Sequence, residues 1–245
     1  MSTAPLFLLD PLPTAGPARL EGPEGRHAAT VRRLRRGEAV LLSDGRGGLA
    51  RAVVDAAGRD TVDLTIIERV DVDPPSPRVV VAQALVKGDR GELAVELATE
   101  AGVDAIVPWR AARCVARWDD GPRGQKALAR WRSTVREAAK QARRPWQPVV
   151  EEPVTTAALA RRAAAVDLAV VLHESATDRL ADLPLPASGE LLLVVGPEGG
   201  VTDEEIDALV AAGARPVRLG PEVLRASTAA AVALGALGVL TRRWG

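Results

Sequence analysis

The sequence predicts an α/β protein: a mostly parallel sheet with helices on both faces, preceded by a small β-barrel or sandwich. Three observations carry this. Strand-like and helix-like periods alternate after residue 77, short strands separated by glycine turns fill residues 39–67, and a stiff proline-rich stretch, DVDPPSP at 71–77, divides the two patterns. The chain of 245 residues is long enough for one large domain or two modest ones. We read residues 1–73 as the first domain and 74–245 as the second. Apolar residues make up 47% of the chain, enough for a real core. With Phe7 and five tryptophans as the only aromatics, that core must rest on Ala, Val and Leu.

The elements follow in order. Residues 27–34 read as a short helix leading into strands at 39–42, 48–54 and 61–67, which are separated by the turns DGRGG at 44–48 and AGRD at 57–60. After the linker, 79–84 is a continuous apolar strand of the buried kind. A helix over 91–101 repeats apolar residues at Leu93, Leu97 and Ala101, and 105–108 is the next strand. A long basic helix spans about 125–143 and must stop before Pro145. Strands at 168–172, 191–195 and 216–219 each run into a polar or glycine-bearing loop. TDEE at 202–205 fits a capping box, with Thr202 as N-cap and Glu205 as its reciprocal partner. The small-residue segment 226–240 reads as a buried core helix.

Composition excludes several classes. One cysteine, Cys114, rules out a disulfide framework, and His27 and His173 are too few for a zinc cluster. No signal peptide is visible, and the longest apolar run, 229–240, is too short to span a bilayer. A cytoplasmic protein with no metal and no membrane partner is the expectation.

The zero net charge is a cancellation. Residues 76–150 carry 14 bases against 8 acids, whereas 151–245 carry 8 against 13. A second basic cluster, Arg26, Arg32, Arg33, Arg35 and Arg36, occupies a stretch of the first domain with no acid in it. Two such patches are either the footprint of a polyanion binder or a pair of solvated faces.

Ligands of an open α/β sheet bind at the carboxyl ends of its strands. Three such ends stand out: Leu172-His173-Glu174, Val195-Gly196-Pro197-Glu198-Gly199-Gly200, and Leu219-Gly220-Pro221-Glu222-Val223-Leu224-Arg225. The glycines of the second allow positive φ and close approach to main-chain groups. It is neither a phosphate loop nor a dinucleotide fingerprint, because the glycine spacing is wrong and the Lys-Ser/Thr pair is missing. On these residues alone it is a structural turn or a ligand loop.

The pairing of VVGPEGG at 194–200 with LGPEVLR at 219–225 resembles the C-terminal signature of SPOUT-class RNA methyltransferases. More narrowly, it is similar to the bacterial family that methylates N3 of a uridine in 16S ribosomal RNA. HAATVRR at 27–33, with Gly37-Glu38 and Asp44-Gly45, resembles that family's PUA-like N-terminal domain. QALVKGD at 83–89, ELATEAG at 96–102 and EAAKQ at 137–141, with Arg143, resemble its middle segments, so the likeness covers nearly the whole chain. The resemblance implies a trefoil-knotted α/β domain, a homodimer packed through the knots, and S-adenosylmethionine (S-adenosyl-L-methionine) held by three loops. It implies a subunit interface for the helix 226–240, instead of the core or as well. Carried over by position, the cofactor residues are Leu172, His173, Glu174, Val195, Gly196, Pro197, Gly199, Gly200, Leu219, Gly220, Pro221 and Leu224.

The implied partner is 16S rRNA or the small ribosomal subunit. Arg26, Arg32, Arg33, Arg35, Arg36, Arg110, Arg113, Arg117, Arg143 and Arg144 would neutralise its phosphates, and Trp118, Trp131 and Trp146 lie among these bases. Arg225 is the choice for stabilising the uracil anion, against the alternative of a phosphate-binding or helix-end arginine. The family often reads Arg-Thr-Glu-Thr where this chain has Arg225-Ala226-Ser227-Thr228. The missing carboxylate removes an obvious base and leaves Ser227 and Thr228 as hydrogen-bond candidates to the uracil edge. Glu198 is a base or a brace of its own turn, bracing being favoured. Lys140 stands where the family commonly carries an acid, and is expected to add to the basic face. A non-catalytic ribosome-assembly factor that kept the knot is the rival reading.

Overall fold

A computed structural model describes residues 4–244. They cluster into two compact units: residues up to Pro74 together with Ala139–Gln147, and Pro75–Ala138 together with the chain from Pro148 onward. Each is described in turn.

The small unit is a five-stranded sheet built from β1 (Leu6–Leu8), β2 (Gly16–Leu20), β3 (Ala39–Ser43), β4 (Gly48–Ala57) and β5 (Val62–Asp71), in the order β1-β3-β4-β5-β2. Only the β1–β3 pair is parallel. β4 shifts register against β5 at Arg51/Ala52 and Val54/Ala56, irregularities that bend a strand and raise its twist. One face carries the core, where Phe7, Leu20, Leu42 and Leu64 are fully buried. The helix expected over 27–34 is displaced. A short helix α1 (Gly22–Arg26) carries Pro23 in its first turn and runs into a wider turn, His27–Val31. Arg33 closes it in the left-handed conformation, φ 53°, with Leu34 N–H bonded to Ala28 O at 3.1 Å.

Ala139–Gln147 belongs here through specific bonds. Gly47 N–H donates to Pro145 O, Gln147 N–H to Gly45 O, and the Trp146 indole to Val72 O at 2.8 Å. Lys140 Nζ meets Glu24 Oε1 at 3.0 Å, with both side chains buried. Nothing in the hydropathy pattern marks this second excursion.

The large unit has a parallel sheet, order β12-β10-β11-β6-β7-β8, made of β6 (Arg78–Ala84), β7 (Ala105–Arg110), β8 (Val149–Val150), β10 (Leu168–Leu172), β11 (Glu190–Val195) and β12 (Arg215–Val217). β9 (Val154–Thr155) pairs with β7 beyond β8. Strand alternation sends Val79 and Val81 to one face and Val80 and Ala82 to the other. The first face packs on α2 (Arg90–Glu100), α3 (Pro122–Gln141) and α6 (Ala226–Leu240), the second on α4 (Thr156–Ala163) and α5 (Asp203–Ala211).

α3 buries Leu128, Trp131 and Val135 at helical spacing and leaves its arginines outward. It ends at Gln141, two residues before the expected stop. Arg143 takes φ 54°, and Arg143 N–H to Lys140 O and Arg144 N–H to Ala139 O form a Schellman closure. From edge strand β12 the chain returns to lay α6 against α2, β6 and β11.

Candidate active site

In the large unit the loops leaving β10, β11 and β12 converge on a cleft of about 740 Å³. Parallel strands end on one edge, so their loops meet there without further design. The middle loop depends on glycine. A Cβ on Gly196 would fall 2.6 Å from Val201 Cγ2, and Gly200 holds φ +76°, a region closed to most side chains. Gly200 N–H donates to Pro197 O at 2.9 Å and closes the turn.

The turn is bolted down by one carboxylate. Thr202 and Glu205 form the expected capping box at the start of α5. Buried Glu205 also accepts from Ala112 N–H at 2.9 Å and from Thr156 Oγ1 at 2.8 Å, joining the loop after β7 and the first turn of α4 to the same point. The loop so held carries Arg113, whose Nη1 donates to Gly199 O at 3.2 Å. Arg113, expected on the RNA face, is exposed but spends a donor on the glycine turn.

Of the expected cofactor residues, Leu172, His173, Glu174, Val195, Gly196, Pro197, Gly199, Gly200, Leu219, Gly220 and Leu224 all line the cleft, and Pro221 does not. His173 Nδ1 lies 2.9 Å from Ser175 Oγ. Arg225 and Ser227 line it too, Arg225 exposed at the N-cap of α6 and Ser227 buried in the wall. Among the described residues no carboxylate pairs with Arg225, so its guanidinium is available to an anion in the cleft. Thr228 turns its hydroxyl back onto Arg225 O at 3.2 Å and is not part of the lining. Glu198 is held 3.8 Å from Arg90, the arrangement of a braced turn. Arg90, Arg218 and Asp203 also line the cleft and were not anticipated. Arg90 was findable, since Lys87-Gly88-Asp89-Arg90 follows the carboxyl end of β6.

The arginines expected to meet RNA separate into classes. In the small unit Arg26, Arg32, Arg33, Arg35, Arg36 and Arg143 are exposed and Arg144 is half-buried. Arg26 lies 3.5 Å from Asp60, while among the described residues no ion pair engages Arg32, Arg33, Arg35 or Arg36. Arg33 and Arg143 are the two non-glycine residues with positive φ among those described. In the large unit Arg110 pairs with Asp120 at 2.6 Å, and Arg117 is exposed.

Lys140 corrects the expectation. It is buried against Glu24 and contributes nothing to a basic face, because a charge with its partner in the interior presents no field to RNA. Trp131 is core, edge-to-face with half-buried Trp118 at 4.9 Å. No group of His, Cys, Asp and Glu able to hold a metal occurs among the described residues, and no described helix is long and apolar enough to cross a membrane.

Comparison with known proteins gives one consistent picture. An RNA methyltransferase domain model matches residues 74–238, and an RNA methyltransferase PUA domain model matches residues 20–67. The chain is 54% identical to a Mycobacterium tuberculosis protein named Ribosomal RNA small subunit methyltransferase E, covering 98% of this chain and 94% of that one. Two solved structures are similar over 98% of both chains. A Legionella pneumophila chain with bound S-adenosylmethionine gives TM-score 0.87 at 29% identity. A Neisseria gonorrhoeae ribosomal RNA small subunit methyltransferase E bound to S-adenosylmethionine gives 0.85 at 28%.

Proposed function

Because this chain belongs to the ribosomal RNA small subunit methyltransferase E family, we propose that it transfers a methyl group from S-adenosylmethionine to N3 of a uridine in 16S rRNA. The observation that carries this reading is the cleft itself, where three strand-end loops meet the unpaired Arg225. Its volume lies in the range of small-molecule sites, and glycines at 196 and 200 keep side chains out of the main-chain cradle. Leu172, Val195, Leu219 and Leu224 supply apolar walls for a nucleoside, and Glu174 and Asp203 supply carboxylates suited to a cationic ligand. The residues therefore fit the group. Bound S-adenosylmethionine supplies an electrophilic methyl on its sulfonium.

The chain's task is to make N3 a nucleophile. That nitrogen carries a proton at neutral pH, and the anion left on its removal needs a cation beside the ring. Arg225 fills that role from the N-cap of α6, which also carries Ser227 in the cleft wall. With Glu198 paired to Arg90, that glutamate serves as a brace, and the N3 proton leaves to water in the open cleft or to a lining carboxylate, Glu174, Asp203 or Glu222. The exposed arginines of the small unit, Arg32, Arg33, Arg35, Arg36 and Arg143, grip phosphates and give affinity without sequence choice. The protein works in the cytoplasm as a homodimer; Val232, Val239 and Leu240 form an exposed apolar strip on α6 suited to a second copy.

Calorimetry with S-adenosylmethionine, followed by methyl transfer to 16S rRNA lacking the modification, tests the reading. Micromolar binding and one methyl per RNA are expected. Binding without transfer would favour the assembly-factor reading, and no binding would overturn both the donor and the cleft assignment.

A further inference from the structure

Next to the reaction cleft lies a second cavity of about 360 Å³, formed wholly by the large unit. Neighbouring residues of the same two chain segments line the two cavities. The first turn of α2 gives Arg90 to the cleft and Gly91 and Glu92 to the second cavity, with Gly88 from the turn before it. The loop after β7 gives Arg113 to the cleft and Ala116, Arg117 and Trp118 to its neighbour. A chain molecule with one residue in the cleft would reach the other across these two short segments.

The lining has a definite chemistry. Arg117, Arg123, Lys126 and Arg130 are all exposed cations around it. The single carboxylate of the lining, Glu92, is occupied by Arg130 at 3.0 Å. Among these charges stand two indoles, Trp118 half-exposed and Trp131 buried to 2%. The Trp131 N–H has no acceptor among the described residues. A Cβ at position 91 would sit 3.1 Å from that nitrogen, so glycine there keeps the donor uncovered at the cavity wall. Among the described residues this nitrogen is not a sealed donor: it opens onto the cavity, where a water or a ligand oxygen can accept from it.

We propose that this cavity is a nucleotide subsite that holds a residue of the substrate RNA flanking the methylated uridine. Trp118 stacks on its base, the Trp131 N–H donates to a base or ribose oxygen, and Arg117, Arg123 and Lys126 take its phosphates. Stacking with surrounding cations is how unpaired RNA residues are held. A base fixed here keeps the neighbouring uridine unstacked and presented to Arg225. This subsite rests on the methyltransferase reading and goes beyond it.

The test is steady-state and binding kinetics on the full-length protein with unmethylated small subunits as substrate. Trp118→Ala should raise KM for RNA about ten-fold or more, the loss expected for one stacked base, with S-adenosylmethionine affinity unchanged and Trp118→Phe restoring most of the loss. Arg123→Gln with Lys126→Gln, both on the solvent side of α3, should lower the salt slope of RNA binding by roughly 1.4, at about 0.7 per phosphate contact. That surface pair keeps the proposal testable if Trp118→Ala fails to fold. Wild-type RNA affinity and salt slope in a folded double variant would overturn the subsite while leaving the methyltransferase reading intact. Absence of transfer by the wild-type protein would instead defeat that reading.

Discussion

In the large unit, the groups proposed to meet a ligand are glycines, prolines and backbone fixed by Glu205, Arg113 and a capping box. In the small unit they are long exposed arginines on turns, two of them in left-handed backbone. The first site is specified by geometry, so one polar residue should separate turnover from binding. The second is specified by charge, so its losses should be graded and salt-dependent. A buried pair such as Lys140–Glu24 belongs to neither kind, since it acts on the fold.

The largest effect sharpens that last distinction. Lys140→Ala removes the buried ammonium that meets Glu24 Oε1 and should cost about 3–5 kcal/mol in urea denaturation. Lys140→Met with Glu24→Gln should recover much of it, and RNA affinity per folded molecule should not change. Next is Arg225→Ala. Removing a positioned cation from a developing anion costs about 10²–10³ in kcat, while calorimetry should find S-adenosylmethionine affinity unaltered. An equal fall in both would make Arg225 a brace of the cofactor loop and erase the contrast.

Charge reversal at Arg33 and Arg35 should weaken RNA binding roughly ten-fold at moderate salt, with a shallower slope and kcat preserved at saturation. Unchanged affinity would remove the small unit as the grip. The smallest effect concerns backbone strain. Arg143→Gly relieves a left-handed arginine and should leave stability equal or raise it by about 1 kcal/mol, while RNA affinity falls. A stabilised variant with full affinity would show that the strain serves no contact.

The same contrast explains what could be read from the sequence. Strand-end loops were legible because VVGPEGG and LGPEVLR carry their backbone demands in their glycines and prolines. Strands β3 to β7 were legible from their periods, but β1, β2, β8, β9 and α4 were not; β1, β8 and β9 span only two or three residues and α4 eight, too short for a period to emerge, and β2 opens on Gly16-Pro17, which reads as a turn. Lys140 misled because a chain position says nothing of burial, and its partner Glu24 lies 116 residues away. Arg113, on the loop after β7, and Arg90, at the start of α2, reach the cleft from segments distant in sequence, so composition placed one with the RNA and overlooked the other. The excursion of Ala139–Gln147 depends on hydrogen bonds to turns near Gly45 and Val72, a pairing no local pattern encodes.

The central claim is that the cleft around Arg225 methylates one uridine of 16S rRNA at N3. Mass spectrometry of 16S rRNA from a strain lacking this protein tests it most directly. The expected result is a single missing N3-methyluridine, restored by the wild-type gene and not by Arg225→Ala. An unchanged complement of methylated uridines would contradict the account.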